Sequence, residues 1–340
     1  VNAQALNDAA LDMLREGRGL LAMDESTGTC DKRFAAAGIP QTEELRRQYR
    51  ELLVTTPGLS EFIGGAILYD ETIRQRTDGG TLFTDVLAAA GIVPGIKVDL
   101  GAKSLAGCEG ERVTEGLDGL RGRLEDYRRR GARFAKWRAV FALGAELPSR
   151  ACLEANAHAL ARYAALCQEA ELVPIAEPEL LMDGAHGSEA CGEATEEILW
   201  TLFDQFYTQG VALEGLILKV NMVLPGLDCP QQPSAAEAAD ATAACLLRAV
   251  PAAVAGVVFL SGGQSGERAS ERLNALNVRF NARAPWPLSF SFARALQTPA
   301  LQIWRGERSN VVAAQKALLS RARCNRAARR GEYVAAEDAR

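Results

Sequence analysis

From residue 150 onward the chain repeats one pattern: an amphipathic run, then a short apolar run that stops on a charged or glycine-rich end. The segments Arg150 to Glu169, Thr195 to Thr208 and Ser234 to Val250 read as helices, and they precede "LVPIAEPE", "GLILKVN" and "GVVFLSGG". Gly210 and Pro251 stand where helices end, and Ser234 with Glu237 has the spacing of a capping box. Such alternation predicts βα units around a parallel sheet whose strands are buried on both faces. Five further runs, "GLLAMDES", "FIGGAILYDE", "GIVPGIKVD", "ARFAKWR" and "WPLSFSFAR", bring the strands to eight. Eight units at intervals of roughly 30–45 residues predict an α/β fold, a closed TIM (β/α)8 barrel with additional terminal helices. An open doubly wound sheet is the alternative, but no GxGxxG follows the first strand.

No Gly-, Ser- or Pro-rich linker divides the chain, so 1–340 reads as one barrel domain with 320–340 a peripheral C-terminal segment. A net charge of -5 argues against general nucleic-acid binding. The arginines from Arg321 to Arg330 are a local exception, and their helical spacing among alanines predicts a solvated helix face. No apolar run approaches the roughly 18 residues of a membrane span, and no signal-peptide pattern occurs. Eight cysteines without a CxxC pair read as reduced thiols in the cytoplasm, or in a plastid if a targeting segment has been removed. The two histidines, His158 and His186, form no HxxxH or HxH pattern, so neither metal nor cofactor is predicted.

In a parallel barrel the site forms where the strands end. Those ends carry Asp24, Asp70 or Glu71, Lys97 with Asp99, Lys136 with Arg138, Glu177 with Glu179, Lys219, Ser261 with Gly262 and Gly263, and Ser291 with Arg294. One charge past a strand end is usually solvated. Eight strands ending this way point to a pocket for a substrate with anionic ends, with carboxylates for proton transfer.

Lys219 interrupts the apolar run "GLILKV", where an ammonium group is costly to desolvate. It either snorkels to water or is held near-neutral for chemistry. A lysine at the usual pKa near 10.4 is neutral about once in a few thousand molecules at pH 7, so burial and the adjacent cations Lys136 and Arg138 would have to depress it. Lys219 therefore reads as a Schiff-base nucleophile. In "FLSGGQSGE" two glycines between strand and helix let backbone N–H groups approach a phosphate, without the lysine and spacing of a P-loop.

In order and separation, "GLLAMDESTGT", "GIVPGIKVD", "GARFAKWR", "VPIAEPELL", "LILKVNMVLPG", "FLSGGQSGE" and "FSFARALQ" resemble the class I, Schiff-base fructose-1,6-bisphosphate aldolases over essentially the whole chain. The resemblance implies metal-independent, reversible cleavage of fructose 1,6-bisphosphate to dihydroxyacetone phosphate and glyceraldehyde 3-phosphate by a homotetramer. It implies that Lys219 forms the imine with the C2 keto group and that Glu177 is acid and base in its formation and breakdown. Asp24 would take the C4 hydroxyl proton, assisted by Lys136. Ser261, Gly262, Gly263, Ser291 and Arg294 would bind the C1 phosphate. Ser26, Thr29, Lys32, Lys97 and Arg138, with Glu179 beside them, would line the remaining sugar and the C6 phosphate, and Arg33 would be shared.

The chain departs from the family pattern at Val220, where many members have proline, at Phe292 and Ala293 in place of Tyr-Gly, and at Leu100 in place of lysine. Many relatives close a mobile tail on a tyrosine that serves proton exchange, whereas the last tyrosine here is Tyr333. Another Schiff-base aldolase or transaldolase, and a non-catalytic sugar-phosphate-binding scaffold, stand as alternatives. Sedoheptulose 1,7-bisphosphate has the same two phosphorylated ends.

Overall fold

Each of the eight apolar runs is a strand in the computed structural model, which describes residues 2–335. The first three are β1 (Gly19–Ala22), β2 (Ile63–Leu68) and β3 (Val93–Lys97). A small antiparallel hairpin follows, β4 (Ala102–Ser104) with β5 (Arg112–Thr114), which the apolar pattern did not suggest because its residues are largely polar. The barrel resumes with β6 (Phe134–Phe141), β7 (Val173–Leu180), β8 (Ile217–Val220), β9 (Gly256–Phe259) and β10 (Leu288–Phe292). These eight strands close in the order β1-β10-β9-β8-β7-β6-β3-β2, and every neighbouring pair is parallel.

Helix α1 (Ala3–Leu14) precedes the first strand. Between β1 and β2 lie α2 (Thr27–Ala36) and α3 (Glu43–Val54), and between β2 and β3 lie α4 (Asp70–Arg74) and α5 (Phe83–Ala89). Then α6 (Leu120–Arg129), α7 (Arg150–Glu169), α8 (Ser188–Thr208), α9 (Ala235–Ala249) and α10 (Gly266–Phe280) alternate with the later strands. The chain closes with α11 (Arg294–Trp304) and α12 (Val311–Arg330). The Ser234 capping box is present: its hydroxyl accepts from Glu237 N–H while the Glu237 carboxylate accepts from Ser234 N–H. Helix α8 begins at Ser188 rather than at the expected Thr195, because Cys191 and Ala194 extend the buried face of Thr195 and Ile198 past Gly192.

Side chains two apart on a strand share a face. Leu20, Ile67, Phe134, Ile175, Ile217 and Val258 fill the lower barrel interior, and Leu6, Ala10, Met13 and Leu14 of α1 pack against them as a plug. The alternate residues, among them Leu21, Leu68, Trp137, Leu218 and Phe259, pack outward in the layer shared with the helices. The interior positions above Phe134, Ile175 and Ile217 are therefore Lys136, Glu177 and Lys219. The pleat that packs the core also delivers the charges to the barrel mouth.

The C-terminal stretch differs from expectation. Helix α12 packs against α10, α11, α3 and β10, and Arg321, Ala322, Cys324, Asn325 and Ala328 are buried. The face read as solvated is thus buried at Arg321, because small alanines let α12 approach closely and the guanidinium finds backbone carbonyls there. Residues 336–340 of that segment lie outside the described residues. Among the described residues no helix is long and apolar enough to cross a membrane.

The plug is seated through Gly64, where an added Cβ would stand 2.0 Å from the Met13 carbonyl oxygen. Gly64→Ala forces α1 away from β2 and is expected to cost about 3 kcal/mol in urea unfolding. The same change at Gly28, which has open space in α2, leaves stability unchanged or slightly raised.

Candidate active site

The strand ends surround an open cavity of about 1240 Å³. Asp24, Ser26, Thr29, Lys32, Arg33, Lys97, Lys136, Arg138, Glu177, Glu179, Lys219, Ser261, Gly262, Ser291 and Arg294 all line it. Of the predicted site residues only Gly263 does not. It is exposed to solvent, and an added Cβ there would lie 3.6 Å from Leu227 and 4.0 Å from Arg294 Nη2.

Lys219 is only 4% exposed, so it does not snorkel into bulk water. Its Nζ lies 2.9 Å from Glu177 Oε1 on the adjacent strand β7. Lys136 Nζ lies 3.0 Å from Glu177 Oε2 and 2.8 Å from Asp24 Oδ2. Two ammonium groups and two carboxylates thus form one buried, internally neutralised cluster. Burial pushes the Asp24 carboxyl up, but the charges of Lys136 and Lys219 outweigh it and hold its pKa at about 2. Glu177 is treated alike: burial opposes its ionisation, and Lys136, Lys219 and Arg138 still bring its pKa below the ordinary value. For Lys136, burial disfavours the charge, yet Asp24 and Glu177 raise its pKa well above that of a free lysine.

On one side of this cluster, Gly262 and Gly263 take φ of +50° and +82°, a pair of left-handed conformations that favours glycine at both positions. Gln264 N–H closes the turn by donating to Ser261 O at 2.9 Å, and Ser265 caps α10. The Ser291 hydroxyl is buried without a partner among the described residues, and Arg294 opens α11. On the other side, Lys97 donates to the Asp99 carboxylate and backbone oxygen, and Arg138 Nε donates to Glu179. Ser26 caps α2, with its Oγ accepting from Thr29 N–H. Among the described residues, Lys32 and Arg294 reach the cavity without a carboxylate partner.

Two further carboxylates organise the site. Glu25 pairs with Arg33 and, at 2.7 Å, with Arg50, and accepts from Gln297 Nε2 at 2.9 Å. Burial raises its pKa, but the two guanidinium groups bring it below the ordinary value. Nothing in "AMDEST" separates Glu25 from a solvated neighbour of Asp24; its partners are remote in sequence. Asp99 accepts from Lys97 and from the backbone N–H groups of Gly101 and Arg138. Asp70 lines the cavity and accepts from Tyr127 O–H at 2.9 Å, while Glu71 turns to Arg46.

The family model described as fructose-bisphosphate aldolase class-I matches residues 5–340. The chain belongs to the class I fructose-bisphosphate aldolase family. A relative named a probable fructose-bisphosphate aldolase class 1 from Xylella fastidiosa is 53% identical over 98% of this chain and 99% of its own length. Cytosolic fructose-bisphosphate aldolase 4 of Arabidopsis thaliana is 50% identical, over 93% of this chain and 80% of its own. A solved aldolase from Plasmodium falciparum superimposes with a TM-score of 0.95 at 43% identity, covering 98% of this chain and 96% of that one. The class I aldolase barrel is therefore the frame in which the charge cluster has to be understood.

Stranding one member of a buried ion pair costs about 3–5 kcal/mol. Lys136→Met strands Asp24 and is expected to lose that much in urea unfolding, whereas Lys219→Met leaves Glu177 paired with Lys136 and loses less than about 2 kcal/mol. Acid provides a second measurement. The folded pKa of Asp24, about 2, lies below the 3.8 of an ordinary, unfolded aspartate, so its stabilisation is complete above the unfolded pKa and is lost as pH falls through the folded one. Asp24→Asn is expected to remove on the order of 2 kcal/mol from the stability lost over that window.

Proposed function

We propose that this aldolase cleaves fructose 1,6-bisphosphate reversibly to dihydroxyacetone phosphate and glyceraldehyde 3-phosphate through an imine on Lys219. One observation carries the residue roles: Lys219 is buried in the lining of the cavity, 2.9 Å from Glu177, in a cluster completed by Lys136 and Asp24. Glu177 is placed to accept a proton from Lys219, freeing the amine to add to the C2 carbonyl. The same carboxyl returns the proton to the oxygen that leaves as water. The resulting iminium draws in the electrons of the C3–C4 bond. Asp24, kept ionised by Lys136, accepts the C4 hydroxyl proton as that bond breaks. Glyceraldehyde 3-phosphate departs, the enamine takes a proton at C3, and water returns the lysine by hydrolysing the imine.

Two phosphate grips flank the cluster in this reading. Ser261, Gly262, Gly263, Ser291 and Arg294 take the C1 phosphate, with Arg294 and the Ser291 hydroxyl, which has no partner among the described residues, as its open donors. In the same reading Lys32, with Ser26, Thr29, Lys97 and Arg138, takes the C6 end, Arg33 is shared between the two grips and Glu179 orients Arg138. A substrate charged at both ends fits this arrangement better than the single-phosphate substrates of other Schiff-base aldolases and transaldolases. Assembly as a homotetramer belongs to the proposal, supported by exposed Trp200 and Tyr207 on α8 and Leu247 on α9. So does a cytoplasmic location, supported by relatives named cytosolic.

Borohydride added with fructose 1,6-bisphosphate should leave a reduced adduct on Lys219, located by peptide mass spectrometry, with loss of activity in proportion. Lys219→Met should yield neither adduct nor turnover. Activity that resists borohydride and is lost to a chelator would end this reading.

A further inference from the structure

Arg321 of α12 does not line the cavity, yet it is 4% exposed and joins two elements that do. Its Nη2 donates to the Gly266 carbonyl at 2.5 Å and to Ser270 Oγ at 2.7 Å, and its Nε donates to the Ala295 carbonyl at 3.3 Å. Gly266 is the first residue of α10, directly after the turn Ser261 to Ser265. Ala295 follows Arg294 in the first turn of α11. One guanidinium therefore ties together the openings of both helices that carry the C1-phosphate grip.

Two neighbouring residues match this contact. A helical carbonyl normally accepts from the N–H four residues ahead, and four residues after Ala295 stands Pro299, inside α11, which has none. Arg321 Nε supplies the missing donor. Gly266 has no left-handed φ that would call for glycine. An added Cβ there would instead stand 3.0 Å from both the Ala295 oxygen and Arg321 Nε. Behind the guanidinium, fully buried Ser270 and Asn325 meet at 2.6 Å.

We propose that Arg321 is a positioning residue for the C1-phosphate grip, fixing the Ser261–Gly263 turn relative to Arg294, with Pro299 leaving the carbonyl it bonds and Gly266 the space it occupies. The inference rests on the phosphate site assigned above. It predicts an effect on substrates that share a C1 phosphate, independent of the C6 end.

The test compares the parent, Arg321→Met, and Arg321→Met with Pro299→Ala, on fructose 1,6-bisphosphate and on fructose 1-phosphate. Active sites are counted by borohydride trapping of dihydroxyacetone, a ketone without phosphate, at Lys219. Per active site, Arg321→Met should raise KM for both substrates about tenfold, the loss of a charge-assisted hydrogen bond, while kcat changes less. The ratio of the two KM values should hold. Pro299→Ala restores an N–H to the Ala295 carbonyl and should recover part of the KM loss. Should Arg321→Met not fold, Gly266→Ala keeps the arginine but pushes the helices apart, and it should reproduce the KM rise. A lower trapped fraction with an unmoved KM per site, or a KM loss that Pro299→Ala leaves untouched, would overturn the proposal. A parent that traps no ketone at Lys219 would overturn the reading of the site itself.

Discussion

The rest of the structure depends on a buried cluster of opposite charges at the barrel mouth. Asp24, Lys136, Glu177 and Lys219 are each less than a tenth exposed, and an isolated charge so placed would cost several kcal/mol. The cost is offset because each charge touches an opposite one. Lys136 meets both carboxylates, and Glu177 meets both lysines. Strands β6, β7 and β8 are neighbours in the sheet, but β1, which leads to Asp24, is hydrogen-bonded only to β10 and β2. The Asp24–Lys136 contact therefore reaches across the mouth rather than between neighbouring strands, and the curvature of the ring brings its two ends together.

That closure rests on apolar packing beneath the charges. Phe134, Ile175 and Ile217 fill the interior layer under Lys136, Glu177 and Lys219, and α1 seals the lower end through close contact at Gly64. Because a strand alternates faces, a shift of one residue in register would exchange these interior side chains for outward ones such as Trp137 and Leu218. Stability of the lower core and placement of the site are thus coupled through the pleat.

The phosphate grips have a different foundation. They stand on loops and helix starts, where backbone geometry is less constrained than in the ring. Here long-range side-chain bonds take over the role of the sheet. Glu25 ties Arg33 and Arg50 to Gln297 of α11, and Arg321 ties α10 and α11 to α12. The helices outside the barrel are part of the site's frame.

The amino-acid sequence by itself determined the eight strands, the alternation of their faces, the capping box of α9 and which side chains stand at the strand ends. These depend on residues a few positions apart, through the period of two and the geometry of a helix start. Only the tertiary structure decided that Lys219 shares Glu177 with Lys136, that Glu71 faces Arg46 while Asp70 faces the cavity, and that Glu25 anchors an arginine. It alone decided that Arg321, which the local pattern assigned to a solvated face, is buried against two carbonyls. A charge in a polar stretch looks the same whether water or a buried partner awaits it, and here the partners come from distant parts of the chain. For Glu25 and Gln297 the separation is 272 residues, and no local pattern encodes which side chains a closed barrel will bring within 3 Å of each other.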